Sequence, residues 1–155
     1  MEPIGIIRTP FTRIDNMPIQ PKGAADVIGK VHVYEQYAEG LKDLEGFSHI
    51  YLIYLFHRAE KTRLSVVPFM DTVSRGVFAT RSPLRPNHIG LSIVELAGID
   101  NHVLTVQGID VLDQTPLLDI KPYIAAFDAV GNSTSGWMRA KAEEVAEKRS
   151  DERFR

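Results

Sequence analysis

Four short segments of this sequence carry residue types that do chemistry from loops. The densest is GVFATRSPLRPNHIGLS (76–92), which sets Arg81, Arg85, Asn87 and His88 among two prolines and two glycines. Guanidinium groups held on such a path suit fixed carboxylate or phosphate partners, because each planar fork donates two parallel hydrogen bonds. GIDVLDQTPLLDIKP (108–122) supplies Asp110, Asp113 and Asp119, acceptors for hydroxyl or amino groups and counter-charges for a cation. QPKGA (20–24) offers the backbone groups of a Pro/Gly turn, and FHR (56–58) a histidine beside an arginine. The same residues also fit plain turn chemistry, with each aspartate closing an Asx turn and each Pro or Gly punctuating the chain. Four such segments at strand ends favour binding loops on a rigid scaffold.

The elements between them read as strands. PIGIIRTP (3–10) is a short opening strand closed by Pro10, followed by a turn-rich loop over 15–24. In DVIGKVHVYEQY, Val31 and Val33 point one way and Lys30, His32 and Tyr34 the other, as in a half-buried strand. A helical turn or two over 35–47 follows, with Leu41 and Leu44 on one side and Gly46 as its stop. HIYLIYLFH (49–57) is nearly continuously apolar and belongs in the middle of a sheet. TRLSVVPF (62–69) is demoted to an edge by Pro68. LSIVELAGID (91–100) and HVLTVQGID (102–110) form a hairpin about Asp100 and Asn101, and 116–124 is a further strand. The tail predicts a helix over 137–149 within 135–153. Ser135 is its cap, Glu144 stands four residues before Lys148, and Trp137, Met138, Ala142, Val145 and Ala146 form a narrow apolar face. The fold class is therefore mainly β, a single barrel or closed sheet with a short helix after the second strand and a C-terminal helix.

Composition narrows the chemistry. A chain of 155 residues with 44% hydrophobic and 25% charged residues is an ordinary single globular domain. It has no cysteine, which removes disulfides, thiolate metal sites and cysteine nucleophiles. The longest apolar run, IYLIYLF (50–56), is far short of the roughly 18 residues that span a bilayer. The opening MEPIGIIRTP has neither the basic nor the apolar region of a leader, so a cytoplasmic home is expected. No glycine-rich dinucleotide turn or P-loop is present. His32, His49, His57, His88 and His102 lack metal-ligand spacing; His32 and His102 fall in strands as structural residues, and no metal is expected. The net charge is −2, yet six bases stand between Arg58 and Arg85, and six acids with one base, Lys121, between Glu95 and Asp128. That asymmetry suits a site meeting a phosphate backbone on one side and a cation on the other, and equally suits solvated loops.

GVFATRSPLRPNHIGLS, GIDVLDQTPLLDIKPY and GLKDLEGFSHIYLIYLFH together resemble the TrmO family, also called TsaA-like or VirR-like proteins. The resemblance runs from IGIIRTPF to about Tyr123, and the phrase RSPxRPNxIGxS is long and idiosyncratic. It implies a β-barrel S-adenosylmethionine-dependent methyltransferase that acts as a homodimer on tRNA. The family's characterised acceptor is N-threonylcarbamoyl-adenosine at tRNA position 37, methylated on its exocyclic nitrogen. By the same resemblance residues 3–130 are the barrel domain and 131–155 a helix and tail. Bacterial members carry an extension beyond the barrel, and any tRNA contact made by that extension stays unassigned here.

Carried onto this sequence, the family's cofactor contacts fall on Pro21, Lys22 and Gly23, on His57 and Arg58, and on Arg81 and Leu91. They continue through Gly108, Ile109, Asp110 and Val111, with Asp113 close by. Arg81, Arg85 and Asn87 are the substrate-side residues, with Lys61, Arg63 and Arg75 near them in sequence to meet anticodon-loop phosphates or the threonine carboxylate. His57 and Asp110 are the candidates for the base that takes the released proton. Two other readings stay open: a non-catalytic module that binds S-adenosylmethionine or RNA, and a methyltransferase with a different RNA or small-molecule acceptor.

Overall fold

The computed structural model describes residues 1–15, 17–19, 21–138 and 142–151. Six strands, β1 (Gly5–Arg8), β2 (Ile28–Val33), β3 (His49–Leu55), β6 (Ile89–Asp100), β7 (Val103–Gln107) and β8 (Thr115–Pro122), close into one barrel in the order β1-β2-β7-β6-β3-β8. Every neighbouring pair is antiparallel. Closure leaves no barrel strand with an open edge. Two two-residue strands, β4 (Ser65–Val66) and β5 (Arg75–Gly76), pair with each other outside the barrel. The segment around Pro68 is thus peripheral, as its proline predicts, but its pairing is far shorter than the sequence suggests.

The period-two reading of β2 is borne out: Val31 and Val33 are buried, while Lys30 and His32 are exposed. Val31 and Val33 meet Ile7, Ile50, Leu52, Val94, Leu104 and Leu117 in a continuous apolar core. The apolar run 49–57 gives β3, bonded to β6 on one side and β8 on the other. The hairpin over 100–103 forms as expected, with Asn101 in the left-handed region at φ 53°. His102 lies in that turn rather than in a strand.

The helical turns after β2 are 3-10 in character, Glu35–Leu41 and Leu44–Gly46, with Leu41 buried and Leu44 packed on the core. Two α segments follow the barrel, α1 (Ala125–Asp128) and α2 (Ala142–Glu147). The long tail helix is corrected by the structure. Residues 135–138 form a turn, in which Trp137 Nε1 donates to the Ala79 carbonyl at 2.7 Å. Residues 139–141 and 152–155 lie outside the described residues. The helix stops at Glu147 because the chain beyond it pairs elsewhere. Pro18 bridges Arg149, Ser150 N donates to the Met17 carbonyl, and Met17 N donates to Ser150 Oγ. Among the described residues no helix is long and apolar enough to cross a membrane.

One glycine is required by packing. A Cβ on Gly90 would stand 2.2 Å from the ring of Tyr54, its cross-strand partner, which is itself 4% exposed. Such overpacking costs about 1–3 kcal/mol. Gly90→Ala is therefore expected to lower the unfolding free energy from urea titration by that amount, whereas Gly76→Ala, whose added methyl meets open space, lowers it by nothing measurable.

Candidate active site

Antiparallel closure decides which loops meet. At one end of the barrel stand the last residue of β1, the first of β2, the last of β7, the first of β6, the last of β3 and the first of β8. The loops leaving that end are 9–27, 56–88 and 108–114. They contain the Pro21–Ala24 turn, the 56–58 segment, most of the 76–92 motif and the first acids of 108–122. The four chemistry-bearing segments of the sequence are thus gathered at one rim. The opposite rim holds the 3-10 turns and the Asn101 hairpin.

Asp110 is the most constrained acid of the site end. It follows β7 and Gly108, which sits at φ +83° and donates its N–H to the Val27 carbonyl at 2.9 Å. Asp110 Oδ1 accepts a 2.6 Å hydrogen bond from Ser92 Oγ, and Ser92 Oγ lies 3.0 Å from the Tyr54 hydroxyl. Burial pushes the Asp110 carboxyl up from 3.8 to about 6, against the opposing pull of the Ser92 bond and the positive field of Arg81. Burial and the Asp110 charge also raise the Tyr54 phenol, which keeps it protonated and a donor. Ile109 and Val111, on either side, are 0% and 4% exposed and turn their side chains into the core. Only their backbone groups remain for a ligand.

Asp113 is engaged differently. Its Oδ1 accepts from Thr9 N at 3.0 Å and lies 3.3 Å from Arg8 Nε, while its own N–H donates to the Phe11 carbonyl. It ties the 108–114 loop to the end of β1. His57 stands just past β3, with Nδ1 3.4 Å from Thr115 Oγ1. Thr115 gives its own hydrogen to the Leu112 carbonyl, so the imidazole donates from Nδ1 and keeps Nε2 as an acceptor. Burial first and then the Arg58 charge lower the His57 pKa, with Asp113 partly opposing, so the ring is neutral at pH 7.

The 76–92 loop is built by its own side chains. Thr80 Oγ1 accepts from Ser82 N, Ser82 Oγ accepts from Leu84 N, and His88 Nδ1 lies 2.8 Å from the Pro83 carbonyl. Leu84 is 1% exposed and anchors the turn. Arg85 Nη1 donates to the carbonyls of Thr80 and Ser82, so part of its guanidinium is spent on fixing the loop. Arg85 also lines a shallow pocket of about 210 Å³ together with Phe78, Pro86, Asn87 and Ile89. Arg81 and Arg58 are exposed at the rim, as are Lys61 and Arg63. Arg75 is not among these exposed cations: its Nε bonds Asp71 at 2.7 Å and its guanidinium lies 5.6 Å from the Trp137 ring centroid. Gly23 in the Pro21–Ala24 turn lies so close to α2 that a Cβ would stand 3.0 Å from the Ala146 carbonyl. Leu91 points outward from β6 and is 55% exposed.

Tyr54 and Ser92 are site residues that the sequence reading missed. In β6 Gly90 and Ser92 face inward while Leu91 and Ile93 face outward, the reverse of what their apolarity alone suggests. A polar residue on the inward register asks for a buried partner.

The raised Asp110 pKa fixes the sign of a stability effect. A carboxyl whose folded value exceeds its unfolded one stabilises fully below about pH 4, and that contribution is lost as pH rises through about 6. Asp110→Asn keeps an oxygen acceptor for Ser92 and removes the buried charge. Thermal or urea unfolding is expected to show the variant more stable by about 1–3 kcal/mol above pH 7 and level with the parent near pH 4.

The architecture has close counterparts. Residues 6–129 match the family described as tRNA-methyltransferase O N-terminal domain. A relative from Pyrococcus abyssi (strain GE5 / Orsay), named a probable S-adenosyl-L-methionine-binding protein, is 48% identical over 152 residues, covering 98% of this chain and 83% of its own. The tRNA (adenine(37)-N6)-methyltransferase of Escherichia coli (strain K12) is 35% identical over 156 residues, covering 94% of this chain and 66% of its own. The crystal structure of TrmO from Pseudomonas aeruginosa superposes with a TM-score of 0.74 at 40% identity, covering 88% of this chain and 60% of that one. This chain thus spans about three fifths of that solved structure. With its fold, its motif and these matches in agreement, the chain belongs to the tRNA-methyltransferase O N-terminal domain family.

Proposed function

We propose that this protein is an S-adenosylmethionine-dependent methyltransferase that adds a methyl to the exocyclic nitrogen of adenine 37 in tRNA, with the threonylcarbamoyl form of that base as acceptor. The observation that carries the reading is the gathering of Asp110, Arg81, His57, Arg58 and the Pro21–Ala24 turn at one barrel rim, in a member of this family. The residues fit such a cofactor. Asp110 is a part-buried carboxylate whose burial is opposed by the Ser92 bond, a backbone N–H and the field of Arg81, and an incoming cation would relieve that burial further. Leu91 gives an apolar surface at the same rim, and the Pro21–Ala24 turn and Gly108 give backbone groups for an adenine edge.

When bound, the cofactor supplies an electrophilic methyl on a sulfonium. The chain's own residues must hold the acceptor nitrogen in line, exclude water and receive one proton. Transfer to a neutral nitrogen depends mainly on placement, which a loop locked by its own hydrogen bonds provides. His57, neutral with Nε2 as acceptor, and Asp110 are the groups able to take the proton. Arg81, Arg58, Lys61 and Arg63 form the cationic rim that meets RNA phosphates. Arg85 and Asn87, beside the Phe78 pocket, face the acceptor base. A tRNA substrate places the enzyme in the cytoplasm. The methyltransferase unit is residues 3–130, with 131–155 as an appended tail.

The homodimer belongs to the same reading. The outer face of β3 and β6 pairs Ile53 with Leu91 and Tyr51 with Ile93, and Leu91 and Ile93 are 55% and 40% exposed. A continuous apolar strip on the outside of a barrel suits an isologous contact. The IYLIYLF strand contributes through this outer face. Ile93→Glu is expected to turn a dimer into a monomer in sedimentation experiments.

A second reading, a cofactor-binding module without turnover, is favoured by the binding-protein name of the Pyrococcus relative. Incubation with S-adenosylmethionine and tRNA carrying or lacking the threonylcarbamoyl group separates the two. The enzyme releases S-adenosylhomocysteine only with the modified tRNA, and Arg81→Ala lowers kcat/KM about ten-fold or more, as loss of a charge-assisted contact does. Cofactor binding without release of product supports the module instead.

A further inference from the structure

We propose that Tyr54 and Ser92 are positioning residues for the site, a hydrogen-bonded chain that runs through the barrel wall from β3 to β6 and holds Asp110 as a ready counter-charge for the cofactor. The proposal rests on the cofactor reading above and extends it to residues that face away from the rim.

The direction of the chain follows from counting hydrogens. Ser92 Oγ has one hydrogen and gives it to Asp110 Oδ1 at 2.6 Å. The 3.0 Å contact between Ser92 Oγ and the Tyr54 hydroxyl therefore has the phenol as donor. Tyr54 and Ser92 are 4% and 2% exposed, so solvent replaces neither bond. The surroundings are shaped to hold the phenol in place. Gly90 leaves the room its ring fills, and Phe56 packs edge-on with ring centroids 5.4 Å apart. Both donors point toward the carboxylate, so the chain favours the ionised acid, and a donor chain polarises more strongly than one bond alone. One bond occupies a fraction of a carboxylate's acceptor capacity, which leaves Asp110 able to accept from a ligand. The groups acting on Asp110 are Ser92 from β6, its own backbone N–H, and Arg81 from the loop before β6; Tyr54 from β3 acts through Ser92. Among the described residues Arg81 is the charged side chain whose field is felt there.

The test follows the Asp110 side-chain carboxyl by carbon-detected NMR in the free protein, beside the pH dependence of S-adenosylmethionine binding by calorimetry. The proteins are the parent, Ser92→Ala, Tyr54→Phe and the double variant, which leaves no orphaned hydroxyl. Ser92→Ala is expected to move the carboxyl midpoint up by roughly one unit. Affinity should then fall about three-fold near pH 6.5 and match the parent well above both midpoints. Tyr54→Phe keeps the ring packing and moves both readouts the same way by less. A purely structural role would weaken binding equally at every pH. An unmoved carboxyl midpoint in folded Ser92→Ala overturns the proposal, as does a moved midpoint with an unmoved binding profile. If the parent fails to bind at any pH, the cofactor reading falls and takes this role with it, whatever the carboxyl titration shows.

Discussion

The barrel closes through three residue pairs between β1 and β8, Gly5 with Leu117, Ile6 with Pro116 and Ile7 with Thr115. This is the shortest seam of the wall, and the site depends on it. Closing it sets the 108–114 loop against the end of β1, where Asp113 takes the Thr9 N–H and stands beside Arg8. It also carries Thr115 within reach of His57 from β3. An open sheet of the same strands would leave β1 and β8 at opposite edges and divide the rim. The apolar core supplies the energy for closure, since inward residues such as Ile7 and Leu117 lose all contact with water only when the seam is made.

The interior of that wall is not uniformly apolar. Ser92 and Tyr54 stand on the inward register of β6 and β3, and among the described residues their hydroxyls bond each other and Asp110. A pair of valines or leucines would pack there with less at stake. The structure instead holds a carboxyl near pH 6 beside a core that disfavours its charge. Stability given up at one residue for an acid that can change state near neutrality is a recurrent property of functional sites.

Much of this was legible in the chain itself. The alternation of Val31 and Val33 with Lys30 and His32, the continuous run of β3 and the Asn101 turn each follow from local rules, and each forms as expected. The grouping of the four loop segments follows from antiparallel order alone. What escaped depends on register and distant contacts. Ser92 sits in LSIV, a stretch whose apolar residues lie on both faces, so no period marks it as inward. Arg85 and Arg75 look alike in sequence, and only folding shows one holding its own loop and the other held by Asp71 and Trp137. The tail has the composition of one long helix, yet Ser150 finds partners at Met17 and the helix stops short of it.

That last contact joins residues 133 apart in sequence. Loop-closure entropy makes such a contact late to form, and it joins the chain ends through hydrogen bonds at Met17, itself buried, and Ser150. Residues 142–151, Met17 and the Pro21–Ala24 turn lie outside the barrel strands, and a peripheral unit of this kind is expected to exchange its amide hydrogens without global unfolding. The Pro21–Ala24 turn belongs to this unit, while Asp110 and Ser92 belong to the barrel. One wall of the rim is thus part of the closed barrel, and the other is expected to open and reclose on its own clock.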